Sequence, residues 1–244
     1  MAVNLAQDCV PSTAQDATAL RQVFASLTAG SCPRSYNFHM HTVFSDGRLL
    51  PEQLMEQAIA IGLKGLAITD HHSVDGYRKA QHWLESWQRA ALQIPQGSPE
   101  SPQPDTAPTL WTGVEINASL LNTEVHILCY AFNPDHEAIQ PYLLGKELNG
   151  QYSPAAQVIG AIHQAGGIAV LAHPVRYKRS PNELIPAAAQ MGIDGIETYY
   201  AYNNPSPWQP SPKETQQVLE LGKADKLLST CGTDTHGLSL LQRL

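Results

Sequence analysis

The chain has 244 residues, 43% of them hydrophobic, and a net charge of −7 with histidine neutral. Its length suits one α/β domain, and no apolar run approaches the roughly 18 to 20 residues needed to cross a bilayer. With 15 Lys and Arg against 22 Asp and Glu and no basic cluster, extended duplex binding through a basic face is excluded, while a small anionic substrate stays open if bound cations supply local positive charge.

The opening MAVNLAQDCVPSTAQD lacks the basic segment and apolar block of a secretory leader, so a cytoplasmic protein is expected. Cys9, Cys32, Cys129 and Cys231 form no CxxC pair, which argues against a thiolate zinc site or a disulfide framework. The stretch DATALRQVFASLTAG predicts an amphipathic helix with Leu20, Val23, Phe24 and Leu27 on one face and Gly30 as its stop. It reads as a packing helix within an N-terminal extension, residues 1–35, ahead of the main domain at 36–244.

From residue 36 strand and helix alternate. YNFHM, KGLAIT, LWTGVEI, EVHILCYAF, IAVLAH, DGIETYY and LLSTCG read as seven β-rich runs, most of them separated by helical patterns such as PEQLMEQAIAIG and SPAAQVIGAIHQAGG. Pro51, Pro154 and Pro181 sit at first helical positions, with Ser153 and Ser180 as N-caps. An α/β barrel or a doubly wound sheet follows from this order. PQGSPESPQPDTAP, residues 95–108, reads as a surface loop too poor in apolar area to offset the entropy of ordering it. A second Pro-rich loop, YNNPSPWQPSP at 202–212, carries Trp208, which either covers a neighbouring helix or stacks on a base or sugar.

Histidines and acids collect at the C-terminal ends of these strands. His39 and His41 end the first strand, and alternate residues of extended backbone point the same way, so both imidazoles can reach one ion. Asp46 follows in a loop, Asp70, His71 and His72 end the second strand, and Glu115 ends the third. His173 ends the fifth, Glu197 lies in the sixth, and Asp234 and His236 follow the seventh. His126 opens the fourth strand, and an antiparallel hairpin of strands three and four would return it to the same rim as Glu115. Six of the ten histidines and three acids on one rim point to a metal site, because so many charges are not buried together without a counterion. His82 and His163 fall in helices as surface or packing residues, and His72 is expected to be structural. Asp70 either orients a ligand imidazole or caps its turn, and Glu197 either contacts substrate or water or is a buried, hydrogen-bonded acid.

HMHTVFSDG, AITDHHSVDG, GVEI with EVHILCY, LAHPVRY, GIETYY and GTDTHG resemble, in order, the motifs of the polymerase and histidinol phosphatase (PHP) family, and most closely its stand-alone phosphoesterases of nucleotides and of the 5′ ends of short oligonucleotides. The resemblance implies a distorted seven-stranded, TIM-like (β/α)7 barrel holding two to three divalent ions. Carried over by motif, His39, His41, Glu115 and Asp234 surround the first ion. Glu115 bridges to a second held by His126 and His173, and Asp46, His71 and His236 take the third. Glu115, Asp234 and His236 are the ligands expected to carry catalysis. About forty residues lie between Tyr130 and His173, where the nucleotide-processing relatives usually carry a larger helical insertion.

Mixed imidazole and carboxylate ligation suits Mn²⁺, Zn²⁺ or Fe²⁺ better than Ca²⁺ or Mg²⁺. Two ions sharing Glu115 would stand about 3.5 to 4 Å apart and bring a bridging water toward hydroxide as the nucleophile. Arg176, just beyond His173, is the candidate clamp for a substrate phosphate. The expected activity is hydrolysis of nucleotide phosphate esters or 5′–3′ release of nucleotides from short single-stranded RNA or DNA. A small-metabolite phosphatase of the histidinol phosphate type is the alternative, and a non-catalytic, metal-stabilised interaction module a third.

Overall fold

The computed structural model describes residues 13–93, 107–145 and 152–244. Of the loop expected at 95–108, residues 107 and 108 fall among them, and Cys9 lies outside. The chain runs α1 (Ala17–Ser26), β1 (Tyr36–Asn37), α2 (Pro51–Ile61), β2 (Gly65–Ala67), α3 (Asp75–Gln93), β3 (Thr109–Trp111), β4 (Gly113–Leu120) and β5 (Thr123–Tyr130). It continues through β6 (Ser153–Pro154), α4 (Ala155–Gln164), β7 (Ile168–Leu171), α5 (Pro181–Gln190), β8 (Gly195–Tyr199), α6 (Pro212–Ala224) and β9 (Leu228–Cys231).

Among the described residues the strands form two sheets, one ordered β1-β2-β3 and one ordered β6-β4-β5-β7-β8-β9. The first is parallel throughout, and in the second β5 runs antiparallel to both β4 and β7. The predicted hairpin is present: Leu121 and Asn122 both take positive φ, the signature of a two-residue turn matched to strand twist. The run LWTGVEI does not stay one strand. It breaks at Thr112, where a Cβ on Gly113 would collide with the carbonyl of Ile68, so the chain turns a corner and passes from one sheet to the other.

Main-chain bonds also join the segments that follow β1 and β9: Phe38 donates to Cys231 O (3.0 Å), Asp234 to His39 O (2.8 Å) and His41 to Thr235 O (3.0 Å). On the other flank Thr69 donates to Met40 O and Glu115 to Asp70 O. The extended residues 38–41 are thus held from both sides.

Pro51 and Pro181 open their helices as expected, and Ser180 caps α5 by accepting from Asn182 N–H. Ser153 is not a cap. It pairs with Ala118 at the edge of β4, and α4 begins one residue after Pro154. Helix α1 ends at Ser26, before Gly30, because Leu27 is extended so that its side chain can join the core. Leu20, Phe24 and Leu27 are buried with Phe38, Trp111 and Tyr130, and Phe24 meets the rings of Phe38 and Tyr130 edge-on at 5.0 and 5.5 Å. Trp208 is buried in the same cluster, which removes it from substrate contact. No helix among the described residues is long and apolar enough to cross a membrane.

Candidate metal centre

Strand alternation places the first candidate ligands. His39 and His41 are fully buried on the polar side, while Met40 between them points into the apolar cluster under α2 and α3. His39 Nε2 lies 3.0 Å from Glu115 Oε2 and 3.4 Å from Asp234 Oδ1, and His41 Nε2 lies 3.1 and 3.2 Å from the same two oxygens. These four donors form one compact group.

The hairpin supplies the second group. In its register Asn117 faces His126 and Glu115 faces Leu128, so Glu115 and His126 are diagonal neighbours on one face. Glu115 Oε1 stands 2.7 Å from His126 Nδ1 and 3.3 Å from His173 Nε2, while its Oε2 faces His39 and His41. One carboxylate therefore serves two groups through different oxygens. His71 also belongs with Glu115 and His126, its Nε2 3.6 Å from Glu115 Oε2.

Asp46, His71 and His236 gather as the third group, with His236 Nε2 3.1 Å and His71 Nε2 3.9 Å from Asp46 Oδ2. His41 joins them through Nδ1, 3.5 Å from Asp46 Oδ1, a contact absent from the motif-based assignment. All nine predicted donors converge on one mouth of the fold.

Their support is visible as well. Asp70 neither touches a ligand imidazole nor faces the cluster. Its Oδ1 accepts from Thr42 N–H (2.6 Å) and Ser45 Oγ (2.8 Å) and its Oδ2 from Thr42 Oγ1 (2.6 Å), fixing the loop that carries Asp46. Gly76 packs so closely that a Cβ there would overlap Asp70 Oδ2. His72, as expected, is structural: Nδ1–H donates to Tyr142 O and Nε2 accepts from Asn117 N–H. His163 pairs with Asp194, which stands just ahead of β8 and accepts from Ala169 N–H near the start of β7, at the opposite strand ends from His173.

Three supporting residues escaped the sequence reading. Asp234 Oδ2 accepts from Tyr200 OH (2.6 Å), Arg243 Nε (2.8 Å) and Arg176 NH1 (2.9 Å), leaving Oδ1 for the histidines. Tyr177 OH accepts from His126 N–H at 2.8 Å and donates to Ala172 O. No spacing signal marks Arg243 in the segment LLQRL; Tyr200 and Tyr177 stood inside the quoted motifs GIETYY and LAHPVRY without an assigned task. Arg176, the predicted phosphate clamp, is committed to Asp234 and Tyr200 by one nitrogen and lines a cavity of about 460 Å³ with His126, His173, Tyr177 and Lys178.

The electrostatics are those of a site that wants cations. Burial opposes charge on Glu115 and Asp234, yet the surrounding imidazoles hold both carboxyls well below their ordinary range. Burial also opposes protonation of His41, but Asp234 and Glu115 overcome it and lift the imidazole to about 9. At His71 burial wins, helped by the nearby His41 and His126, and the ring falls to about 4. His41 Nε2, His71 Nδ1 and His173 Nδ1 are buried without a hydrogen-bond partner among the described residues. His41 Nε2, close to two carboxylate oxygens yet out of line for a hydrogen bond to either, sits in a mixed nitrogen and oxygen shell that fits a divalent transition ion. His173 and Asp234 hold φ of 27° and 54°, backbone strain of the kind that collects at functional sites.

The sequence profile of the PHP domain matches residues 37–184. The 5′-3′ exoribonuclease Rnm of Salmonella typhimurium is 24% identical over an alignment 272 positions long, covering 82% of this chain and 85% of that protein. Among solved structures, a metal-dependent phosphoesterase from Bifidobacterium adolescentis superposes with a TM-score of 0.64 at 22% identity, covering 84% of this chain and 88% of the other. An amidohydrolase from Chromobacterium violaceum, solved with sulfate and no metal, gives 0.65 at 20% identity over 83% and 88%.

Proposed function

Given that the chain belongs to the PHP domain family, we propose that it is a metal-dependent hydrolase of phosphoester bonds whose substrates are nucleotides or the 5′ ends of short single-stranded RNA or DNA. The observation that carries the reading is Glu115, one carboxylate whose two oxygens face different imidazole groups. The likeness to an exoribonuclease over most of both chains supports the nucleotide side of it. In this reading the two sheets, joined through residues 38–41, are a distorted barrel with its chemistry at the C-terminal ends of the strands.

His39, His41, Glu115 and Asp234 would hold one ion, Glu115, His126 and His173 a second, and Asp46, His71 and His236 a third, with Mn²⁺, Zn²⁺ or Fe²⁺ suiting such shells. When bound, divalent ions supply an acidified water and neutralise charge on the transferred phosphoryl group. The protein's own residues do the rest. Arg176 lines the cavity and offers its remaining N–H groups to phosphate oxygens. Tyr200 and Arg243 keep Asp234 oriented while Arg176 engages substrate. Cys32, Cys129 and Cys231 are free and buried, in keeping with work in the reducing cytoplasm.

The test is a panel of AMP, a 3′,5′-bisphosphonucleoside, a 5′-phosphorylated trinucleotide and histidinol phosphate, assayed with Mn²⁺ and again after chelation. Metal-dependent turnover fastest on a nucleotide substrate is expected. Preference for histidinol phosphate would move the substrate class to small metabolites, and no turnover of any phosphoester would leave a metal-stabilised module.

A further inference from the structure

Glu197, in β8, is fully buried and belongs to none of the three donor groups. Both of its oxygens are nevertheless committed. Oε1 lies 3.0 Å from His39 Nδ1, and Oε2 accepts the main-chain N–H of His173 at 2.9 Å. Those partners belong to different groups: His39 faces Glu115 Oε2 and Asp234 Oδ1, whereas His173 faces Glu115 Oε1.

From this geometry we infer that Glu197 is a positioning residue that sets the tautomer of His39 and the backbone of His173, and so keeps the first two ion sites in register. The inference rests on reading those groups as ion sites. A neutral imidazole has one N–H and one lone pair, and the nitrogen that binds an ion must carry the lone pair. Since Nε2 of His39 faces the ligand cluster, its proton belongs on Nδ1, donated to Glu197. The amide of His173 can only donate, so Oε2 must accept. That bond also anchors a residue with a φ of 27°, which the chain would otherwise leave.

Two donors aimed at one side chain require two acceptors, and a carboxylate has them. Glutamine has nearly the same shape but a single acceptor oxygen. With that oxygen on His39, its NH₂ group faces the N–H of His173, donor against donor. With the oxygen on His173, the NH₂ group donates to His39 Nδ1, the imidazole proton moves to Nε2, and the ligand atom is lost. Either arrangement disables one of the two sites.

The first measurement needs no variant. In Zn²⁺-loaded wild-type protein, long-range ¹H–¹⁵N correlation spectra should show His39 protonated at Nδ1, and an Nε2–H tautomer would overturn the inference. The second compares E197Q with wild type by calorimetric Zn²⁺ titration and by the visible absorption of the Co²⁺-loaded forms. Weakening of about 10- to 100-fold with an altered Co²⁺ spectrum is expected, the usual effect of removing a ligand's hydrogen-bond partner. Wild-type affinity together with a wild-type spectrum would sink the idea, as would absence of any bound ion in the parent protein. Neither readout uses a phosphoester. A protein that binds ions with the stated tautomer yet hydrolyses none of the panel would refute the proposed reaction and leave this role of Glu197 standing.

Discussion

Glu115 Oε1 lies 2.7 Å from His126 Nδ1, across a hairpin that brings residues eleven apart in sequence onto one face of the sheet. That contact ties the second donor group to the first through a single carboxylate. Glu115→Gln should therefore deplete bound metal more than His126→Ala, which removes a ligand from one group alone. Metal analysis after dialysis gives the comparison. Activity of Glu115→Gln is expected to fall by at least about 100-fold, the upper end of what losing a mere supporting partner costs. Equal metal content in the two variants would contradict the shared role.

The metal-free protein should be most stable near pH 6.5, because its carboxylates lift His39 and His41 while burial lowers His71 and His173, and the two pairs pull in opposite directions. His41, lifted from 6.5 to about 9, stabilises the fold fully below 6.5 and loses that contribution as pH rises through 9. His71, lowered from 6.5 to about 4, stabilises above 6.5 and loses its contribution as pH falls through 4. Lowered carboxyls at Asp46, Glu115 and Asp234 add to the acid-side loss. Melting temperatures of chelated protein from pH 4 to 9 test the shape, and a monotonic curve would contradict it.

Arg176→Ala should raise KM for a phosphoester by about tenfold or more, since a charged hydrogen bond contributes about 1.5 to 3 kcal/mol. Arg176→Lys should recover part of the loss, because an ammonium lacks the planar fork that lets one side chain hold Asp234 and a phosphate together. Steady-state kinetics on the best substrate of the panel decide this. An unchanged KM in the alanine variant would assign Arg176 to Asp234 alone.

Phe24→Ala should destabilise the fold by about 3 to 5 kcal/mol through the cavity it leaves between Phe38 and Tyr130. Urea unfolding measures it. A loss under 1 kcal/mol would mean that α1 is only loosely docked.

The convergence of these side chains was legible in the sequence because metal-ligating residue types are few and extended backbone fixes where they point. His39 and His41 with Met40 between them spell out that alternation, and Glu115 with His126 needed only a hairpin to meet. What stayed hidden depends on distance rather than on pattern. Arg243 reaches Asp234 from the end of a segment without periodicity, and Ser153 was claimed by an edge of β4 that its helix-like surroundings did not announce. The break at Thr112 goes with the close approach of Gly113 to the carbonyl of Ile68, where a side chain would collide, a contact between two segments that no local window contains. Glu197 was seen on the correct rim, but its partners stand in the segments that follow β1 and β7 and were invisible until the fold joined them.

Asp46 is the most solvent-facing of the nine donors, at 53% exposure, yet its loop is hung from Asp70 by bonds that involve no cation. Folding itself thus meets the entropic cost of arranging this outer side chain, so that an incoming ion would find its seat already laid. Substituting Asp70 would leave every coordinating side chain in the sequence and still unfasten the outermost of them.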